Sequence, residues 1–306
     1  MERRGQAIGV GLVVLSAIGF AGTPTLAALA YDAGINVPTT LTLRFGAAAL
    51  LAWPFLLLRR EAGIPRSHLG GLALAGALFV ANTSTFFLAI RYAPASTVAV
   101  IFYSYPAIVT LLAVLWLGER LTLVRTIALV LAMLGCLLTL GLDFAGADGR
   151  GMLLAFASAC LYAGYIVVSS RVVRGLSVVR ASTWIMSGMA VMFAAYAFLS
   201  GSLDLGFQPH GWLVLAAMVV ASTVVAVLAF LAGVMRLGPA RASIIATLEP
   251  VMAVALAAVV LREDIGPMRA LGGLAILTAV VLLRLPVADA PAQPALDAPG
   301  DGGHGA

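Results

Sequence analysis

The chain has no lysine among its 306 residues; all eighteen basic side chains are arginine. Only 10% of its residues are charged, against roughly 25% in soluble domains. A net charge of +5 raises the question of nucleic acid. The arginines are strung thinly between apolar runs, however, with no dense patch and no interleaved aromatics, so no nucleic-acid partner is expected. Cysteine is scarce as well: Cys136 and Cys160 each lie inside an apolar run, outside any CxxC or Cys/His cluster. Neither a disulfide framework nor a thiolate metal site follows from them. The histidines His68, His210 and His304 have no metal-like spacing. There is no phosphate-cradling Walker loop, no GxSxG and no HExxH. No metal, no cofactor and no enzymatic activity are therefore expected. Polar loops long enough for a soluble domain are missing too.

What is present is apolar. Hydrophobic residues make up 62% of the chain, and mean hydropathy is +1.08. A water-soluble fold of this size cannot hide so much apolar surface, whereas lipid solvates it. A membrane-crossing helix needs about 20 mostly apolar residues. Ten segments qualify: 7–30, 38–58, 69–91, 95–117, 121–141, 150–170, 179–200, 211–235, 239–261 and 267–285. The runs are continuous rather than alternating, which selects helices over barrel strands. Arg3-Arg4, the first apolar run and Ala28-Leu29-Ala30 resemble a signal peptide. That run is longer than a cleaved h-region, so a retained helix is expected. The stretch 286–306, rich in Pro, Ala, Gly and Asp, cannot build a core and is expected to be a disordered cytoplasmic tail.

Orientation follows from arginine placement. With a cytoplasmic N-terminus, thirteen arginines fall on the cytoplasmic side, four on the other, and Arg44 lies within the second helix. Both termini are then cytoplasmic.

The chain also resembles itself. Arg91-Tyr92-Ala93-Pro94-Ala95 parallels Arg236-Leu237-Gly238-Pro239-Ala240. Pro106 precedes Glu119 of Leu117-Gly118-Glu119-Arg120-Leu121 by thirteen residues, and Pro250 precedes Glu263 of Leu261-Arg262-Glu263-Asp264-Ile265 by the same interval. Gly19-Phe20-Ala21-Gly22 parallels Leu161-Tyr162-Ala163-Gly164. The expected fold is therefore all-α and integral to the membrane, a single transmembrane domain over 1–285 followed by the tail. Its ten helices form two five-helix repeats, about 7–141 and 150–285, around a central cavity. Five is odd, so the second repeat enters from the opposite side. That symmetry is the basis of alternating access in secondary transporters. A duplicated but purely structural protein, a membrane scaffold, is the competing explanation.

Several residues are candidates for transport. Pro106 and Pro250 fall mid-helix, where each removes a donor and frees the carbonyl four residues back, on Phe102 and Ala246; either a gating bend or a packing kink results. Glu249 is the one acidic residue deep inside a predicted helix. It is paired, protonated or facing water, and serves substrate, proton coupling, or backbone freed near Pro250. Its counterpart in the first repeat is Tyr105, so two symmetric carboxylates are excluded. Arg44 either attracts an anionic group or snorkels and pairs. Asn82, Thr85 and Phe86 share a face, as do Phe102 and Tyr105, and Ser158, Tyr162, Tyr165 and Ser169 form a stripe. Trp184 opens the seventh helix. Such polar-aromatic stripes suit an amphipathic small molecule or helix–helix contacts and interface anchoring. Gly70, Gly71, Ala75, Gly272 and Gly273 are read as packing positions. Glu119 and Glu263 are read as caps or topology-linked ion pairs.

The ordered, repeated motifs resemble the EamA-like family of the drug/metabolite transporter superfamily over nearly all of 7–285. They are Arg91 to Pro94, Pro106 and Leu117 to Leu121 in the first unit, and Gly238-Pro239-Ala240, Leu248-Glu249-Pro250-Val251 and Leu261 to Glu263 in the second. Arg262 departs from the pattern, standing where the first unit has Gly118. The resemblance implies ten helices around a cavity with the fifth and tenth outside it, and export of small metabolites, amino acids or drugs. The expected function is thus a secondary active exporter in a bacterial inner membrane. Its partners would be a small-molecule substrate, the bilayer and, through Glu249, protons. Oligomeric state is left open, and a monomer is compatible with the sequence. An intramembrane lipid-modifying enzyme, the other alternative, would need a clustered His/Asp, metal or nucleophile constellation.

Overall fold

The computed structural model describes residues 2–141, 147–261 and 266–283. The predicted tail, Glu263, Arg262 and Arg284 lie outside the described residues.

Every described segment of regular structure is helical. In chain order the helices are α1 (Arg4–Asp32), α2 (Val37–Leu58), α3 (Arg66–Ala89), α4 (Ala95–Leu117), α5 (Leu123–Leu140), α6 (Gly149–Val172), α7 (Val178–Leu199), α8 (Gly211–Leu237), α9 (Pro239–Leu256) and α10 (Pro267–Leu282). The backbone of α9 stays helical to Leu261. Among the described residues, the first nine are long and apolar enough to cross a membrane, while α10 is shorter. Caps fix the boundaries. Asn36 accepts from the Thr39 N–H at 2.9 Å and opens α2, Asp148 accepts from Arg150 at 2.9 Å and opens α6, and Ser177 and Thr122 do the same for α7 and α5. Each satisfies a donor that the first helical turn leaves without a partner.

The outward surface is greasy. Leu50, Leu153 and Leu213 are 73%, 70% and 75% exposed. In water each such side chain would forgo about 1.5–3 kcal/mol of burial free energy; against lipid tails it forgoes little. The chain is a multi-pass membrane protein.

Loops gather at two ends. At the near face, where α1 begins, the Ser177 hydroxyl donates to Glu61 at 2.6 Å and the Trp184 indole donates to the Ala62 carbonyl at 3.2 Å. At the far face, where α1 ends, the Gln208 N–H donates to the Ala33 carbonyl at 3.0 Å and the Asp148 N–H to the Tyr92 carbonyl at 2.9 Å. Among the described residues the bundle is built from α4 on α6, α1 on α9, α3 on α7, α4 on α9, α1 on α8, α2 on α7, α3 on α6 and α5 on α10. The last is very close. A methyl at Gly135 would lie 2.7 Å from the Gly272 carbonyl oxygen, and one at Gly272 would lie 2.6 Å from the Thr139 nitrogen. Backbones can meet this way only without side chains between them. Of the predicted packing glycines, Gly71 and Gly272 meet neighbours this tightly, whereas Gly70 faces open space.

Four helices are irregular near mid-length. α1 breaks at Gly22, before Thr23 and Pro24. α4 breaks at Tyr103–Ser104, and α9 at Thr247. In α8, Val220–Val225 is π-helical. The two motif prolines correct one expectation: neither sits in mid-helix. Pro106 is in the first turn of Tyr105–Leu117, and Pro250 in the first turn of Leu248–Leu261. A first-turn proline costs nothing, because its missing N–H would have had no helical partner. The chain interrupts each helix just before its proline instead of bending at it.

Candidate functional site

The breaks in α1, α4 and α9 border a cavity of about 210 Å³. One water needs roughly 10–15 Å³ by this kind of measure, so the space suits a small organic molecule. The cavity runs from the level of the helix breaks towards the far face. Phe20, Glu249 and Tyr162 line its inner end, and Tyr31, Val37 and Phe87, all near far-face helix termini, line its outer end.

Six sequence candidates lie on its wall: Arg44, Asn82, Phe86, Phe102, Tyr162 and Glu249. Glu249 stands in the first turn after the α9 break, so what little of it is accessible faces the cavity. The Tyr103 hydroxyl bonds its carboxylate, and the Arg44 charge acts on it from α2. A carboxylate in apolar surroundings requires such partners.

Arg44 is committed elsewhere for hydrogen bonding. Its Nε donates to the Thr223 hydroxyl at 2.6 Å and its Nη2 to the Ser222 carbonyl at 2.5 Å. Both partners are in the π-helical segment, whose wide turn loosens the regular carbonyl pairing. The Ser222 hydroxyl then donates to the Gly19 carbonyl of α1 at 2.8 Å. Of the sequence alternatives, snorkelling to the interface and pairing with a helix end are not what is seen; Arg44 stays on the cavity wall, with its charge acting on Glu249.

Asn82 accepts from the Ser158 hydroxyl at 2.6 Å through its side-chain oxygen, assigned from that contact. Aromatic rings form the rest of the wall. Phe102 lies 5.3 Å from Phe86 and 5.4 Å from Tyr162, centroid to centroid. Tyr105 and Tyr165 back this wall without lining it: Tyr105 stands edge-on to Tyr162 at 4.9 Å, and Tyr165 edge-on to Phe79 at 5.2 Å. Trp184 is not at the cavity. Its ring meets Trp53, and its indole N–H is tied to Ala62 at the near face. Thr85 bonds backward within its own helix.

Sequence reasoning missed the α1 contribution of Phe20, Thr23, Ala27 and Tyr31, and also Thr40, Phe45 and Phe79. Gly22-Thr23-Pro24 was the available signal for the first group. Among the described residues the Thr23 hydroxyl, on the cavity wall, has no hydrogen-bond partner.

Glu119, read from sequence as a cap or ion-pair residue, ends α4 at the near face. It pairs with Arg125 at 3.4 Å and accepts from the Ala240 N–H at the start of α9. Burial pushes its carboxyl up from the usual range, against the opposing pull of Arg125, Arg241 and Arg174. No group of three or more His, Cys, Asp or Glu side chains able to hold a metal occurs among the described residues.

The model of the EamA-like transporter family matches residues 7–141 and again 149–285. Uncharacterized transporter YcbK of Bacillus subtilis is 22% identical over 88% of this chain and 90% of its own. Uncharacterized transporter sll1319 of Synechocystis is 27% identical over 65% of this chain, and the match spans 61% of that relative's length. A solved crystal structure superposes with a TM-score of 0.70 over 92% of this chain and 97% of its own at 20% identity, a likeness of fold.

Proposed function

The chain belongs to the EamA-like transporter family, and from that premise we propose that it is a secondary active transporter. It moves a small organic molecule by alternating access through the cavity that Glu249 and Phe102 line. The observation that carries this is the coincidence of cavity and helix breaks: the polar and aromatic wall is assembled where α1, α4 and α9 are interrupted. Irregular backbone at membrane depth is tolerated where it borders a cavity or is buried in protein.

Two inverted five-helix repeats, about 7–141 and 150–285 within a 1–285 membrane domain, are supported by packing. Exchanging the halves turns the α1–α8 pair into the α6–α3 pair and maps α2–α7, α4–α9 and α5–α10 onto themselves. In this account α10 is the tenth crossing. Its 16 residues span about 24 Å at 1.5 Å per residue, and it lies against α5, another of the shorter helices. The near face is cytoplasmic, because most arginines gather there. Both termini and the 286–306 tail lie on that side, in a bacterial inner membrane.

The substrate class follows from the wall. Glu249 offers an acceptor for an amine. Asn82 and Thr23 offer hydrogen bonds, and the rings of Phe86, Phe102 and Tyr162 take an apolar body. A small amphipathic metabolite, an amino acid or an amine-bearing drug-like compound, fits this set. Export is the direction the family resemblance implies, with a proton or substrate gradient as the driving force.

The test is counterflow in proteoliposomes against a panel of amino acids and small organic cations. At least one member should exchange, and Glu249→Gln should reduce its flux about tenfold or more, the loss expected when one charged contact is removed. No flux for any panel member would contradict the substrate class. Full pH-dependent flux in Glu249→Gln would eliminate proton coupling through this carboxylate.

A further inference from the structure

The two helix pieces that enter the broken helices occupy unequal surroundings. Pro239–Ala246 of α9, entering from the near face, has all eight of its residues buried. Ala95–Phe102 of α4 is its counterpart in the first repeat and enters from the far face; of its eight residues only Thr97 and Val98 are buried. The cavity reaches the far-face helix ends, where Tyr31, Val37 and Phe87 line it, on the same side as this partly exposed piece. Matching elements therefore show a sealed near face and an open far face.

At the sealed end one side chain joins the two broken helices. Glu119 follows α4 directly, after Gly118 in a left-handed conformation at φ +68°. Its carboxylate accepts from the Ala240 N–H and packs against the Gly238 backbone, where a methyl would come within 2.7 Å of its Oε1. Gly238 itself has φ +80°, a conformation that glycine adopts without strain. Arg125 from α5, Arg241 from α9 and Arg174 from the α6–α7 loop surround the carboxylate. A carboxylate at a helix N-terminus is held by both the free N–H groups and the helix dipole.

We infer that Glu119 is the near-face latch of the transport cycle: its grip on Gly238 and Ala240 holds the entry of α9 closed, and the cavity opens to the near face only when that grip is released. The inference rests on the alternating-access account above and adds to it a specific gating contact. On release, Pro239–Ala246 gains exposure while Ala95–Phe102 becomes buried.

The test uses the full chain, reconstituted, in a background carrying Cys136→Ala and Cys160→Ala. Ser243→Cys reports on the sealed piece and Ser96→Cys on the open one, each by its rate of reaction with a water-soluble maleimide. With Glu119 intact, Ser243→Cys should be protected and Ser96→Cys reactive. Glu119→Ala should raise labelling at 243 about tenfold, the factor carried by one charge-assisted hydrogen bond, and slow labelling at 96. Glu119→Gln keeps an acceptor oxygen but loses the charge, so it should move both rates the same way by less; it also serves if the alanine variant does not fold. Unchanged rates in the folded variants, or fast labelling at 243 with Glu119 present, would overturn the latch. No substrate enters the measurement. A panel that gave no flux would thus count against the substrate class and leave the latch standing.

Discussion

Arg44 of α2, on the cavity wall, reaches Thr223 of α8 at 2.6 Å and fastens the π-helical turn of that helix. The contact joins two elements 179 residues apart, and through Ser222 and Gly19 it extends to α1. π-helical turns are rare and occur mostly as single-turn bulges inside α-helices. The cavity wall therefore depends on a charge whose hydrogen bonds go to backbone and hydroxyl groups of its own chain.

Removing that charge should cost stability first. Arg44→Met leaves the buried Ser222 carbonyl without its donor, and such a loss costs about 2–3 kcal/mol. Thr223→Val, which deletes one neutral acceptor, should cost about 1 kcal/mol. Thermal unfolding in one detergent orders the two variants. If Arg44→Met unfolds like the parent and only weakens substrate binding, the guanidinium is a substrate ligand and its placement here is misread.

The α5–α10 contact makes a second, independent prediction. Gly272→Ala places a methyl 2.5–2.7 Å from Thr139 and the Gly135 carbonyl; the helices must move apart, at a cost of about 1–3 kcal/mol. Gly70→Ala meets nothing within 4 Å and should be neutral or stabilising by up to about 1 kcal/mol through helix propensity. Melting temperatures of the pair check this, and equal values would contradict the packing.

The sequence reveals what depends on composition and order. Continuous apolar runs placed the helices to within a few residues; among those described, nine are long and apolar enough to cross a membrane, the solution lipid favours. The family followed from motifs repeated in register. Pro106 and Pro250 marked the neighbourhood of the α4 and α9 interruptions, though each proline turned out to start a helical piece, a distinction a missing donor cannot make by itself. The π-turn left no trace in sequence: Val220-Ala221-Ser222-Thr223-Val224-Val225 carries no glycine or proline, and the bonds to its Ser222 and Thr223 come from Arg44 on another helix. Trp184 looked as eligible as Tyr162 because a ring at a helix face does not say which neighbour it meets. Glu119 was assigned to a helix end correctly, but the helix it caps belongs to the other repeat, a long-range contact that a one-dimensional motif does not display.

Blocking the cavity after folding tests the central claim most directly. Thr83 lines the cavity, whereas Leu115 is 65% exposed on the outer surface. Each would be changed to cysteine in the Cys136→Ala, Cys160→Ala background, reconstituted, and modified to completion with a bulky maleimide. Counterflow of a compound the parent carries is then measured. Modified Thr83→Cys should fall to the rate of empty liposomes while modified Leu115→Cys keeps the parent rate; full flux through fully modified Thr83→Cys would show that the cavity is not the transport path.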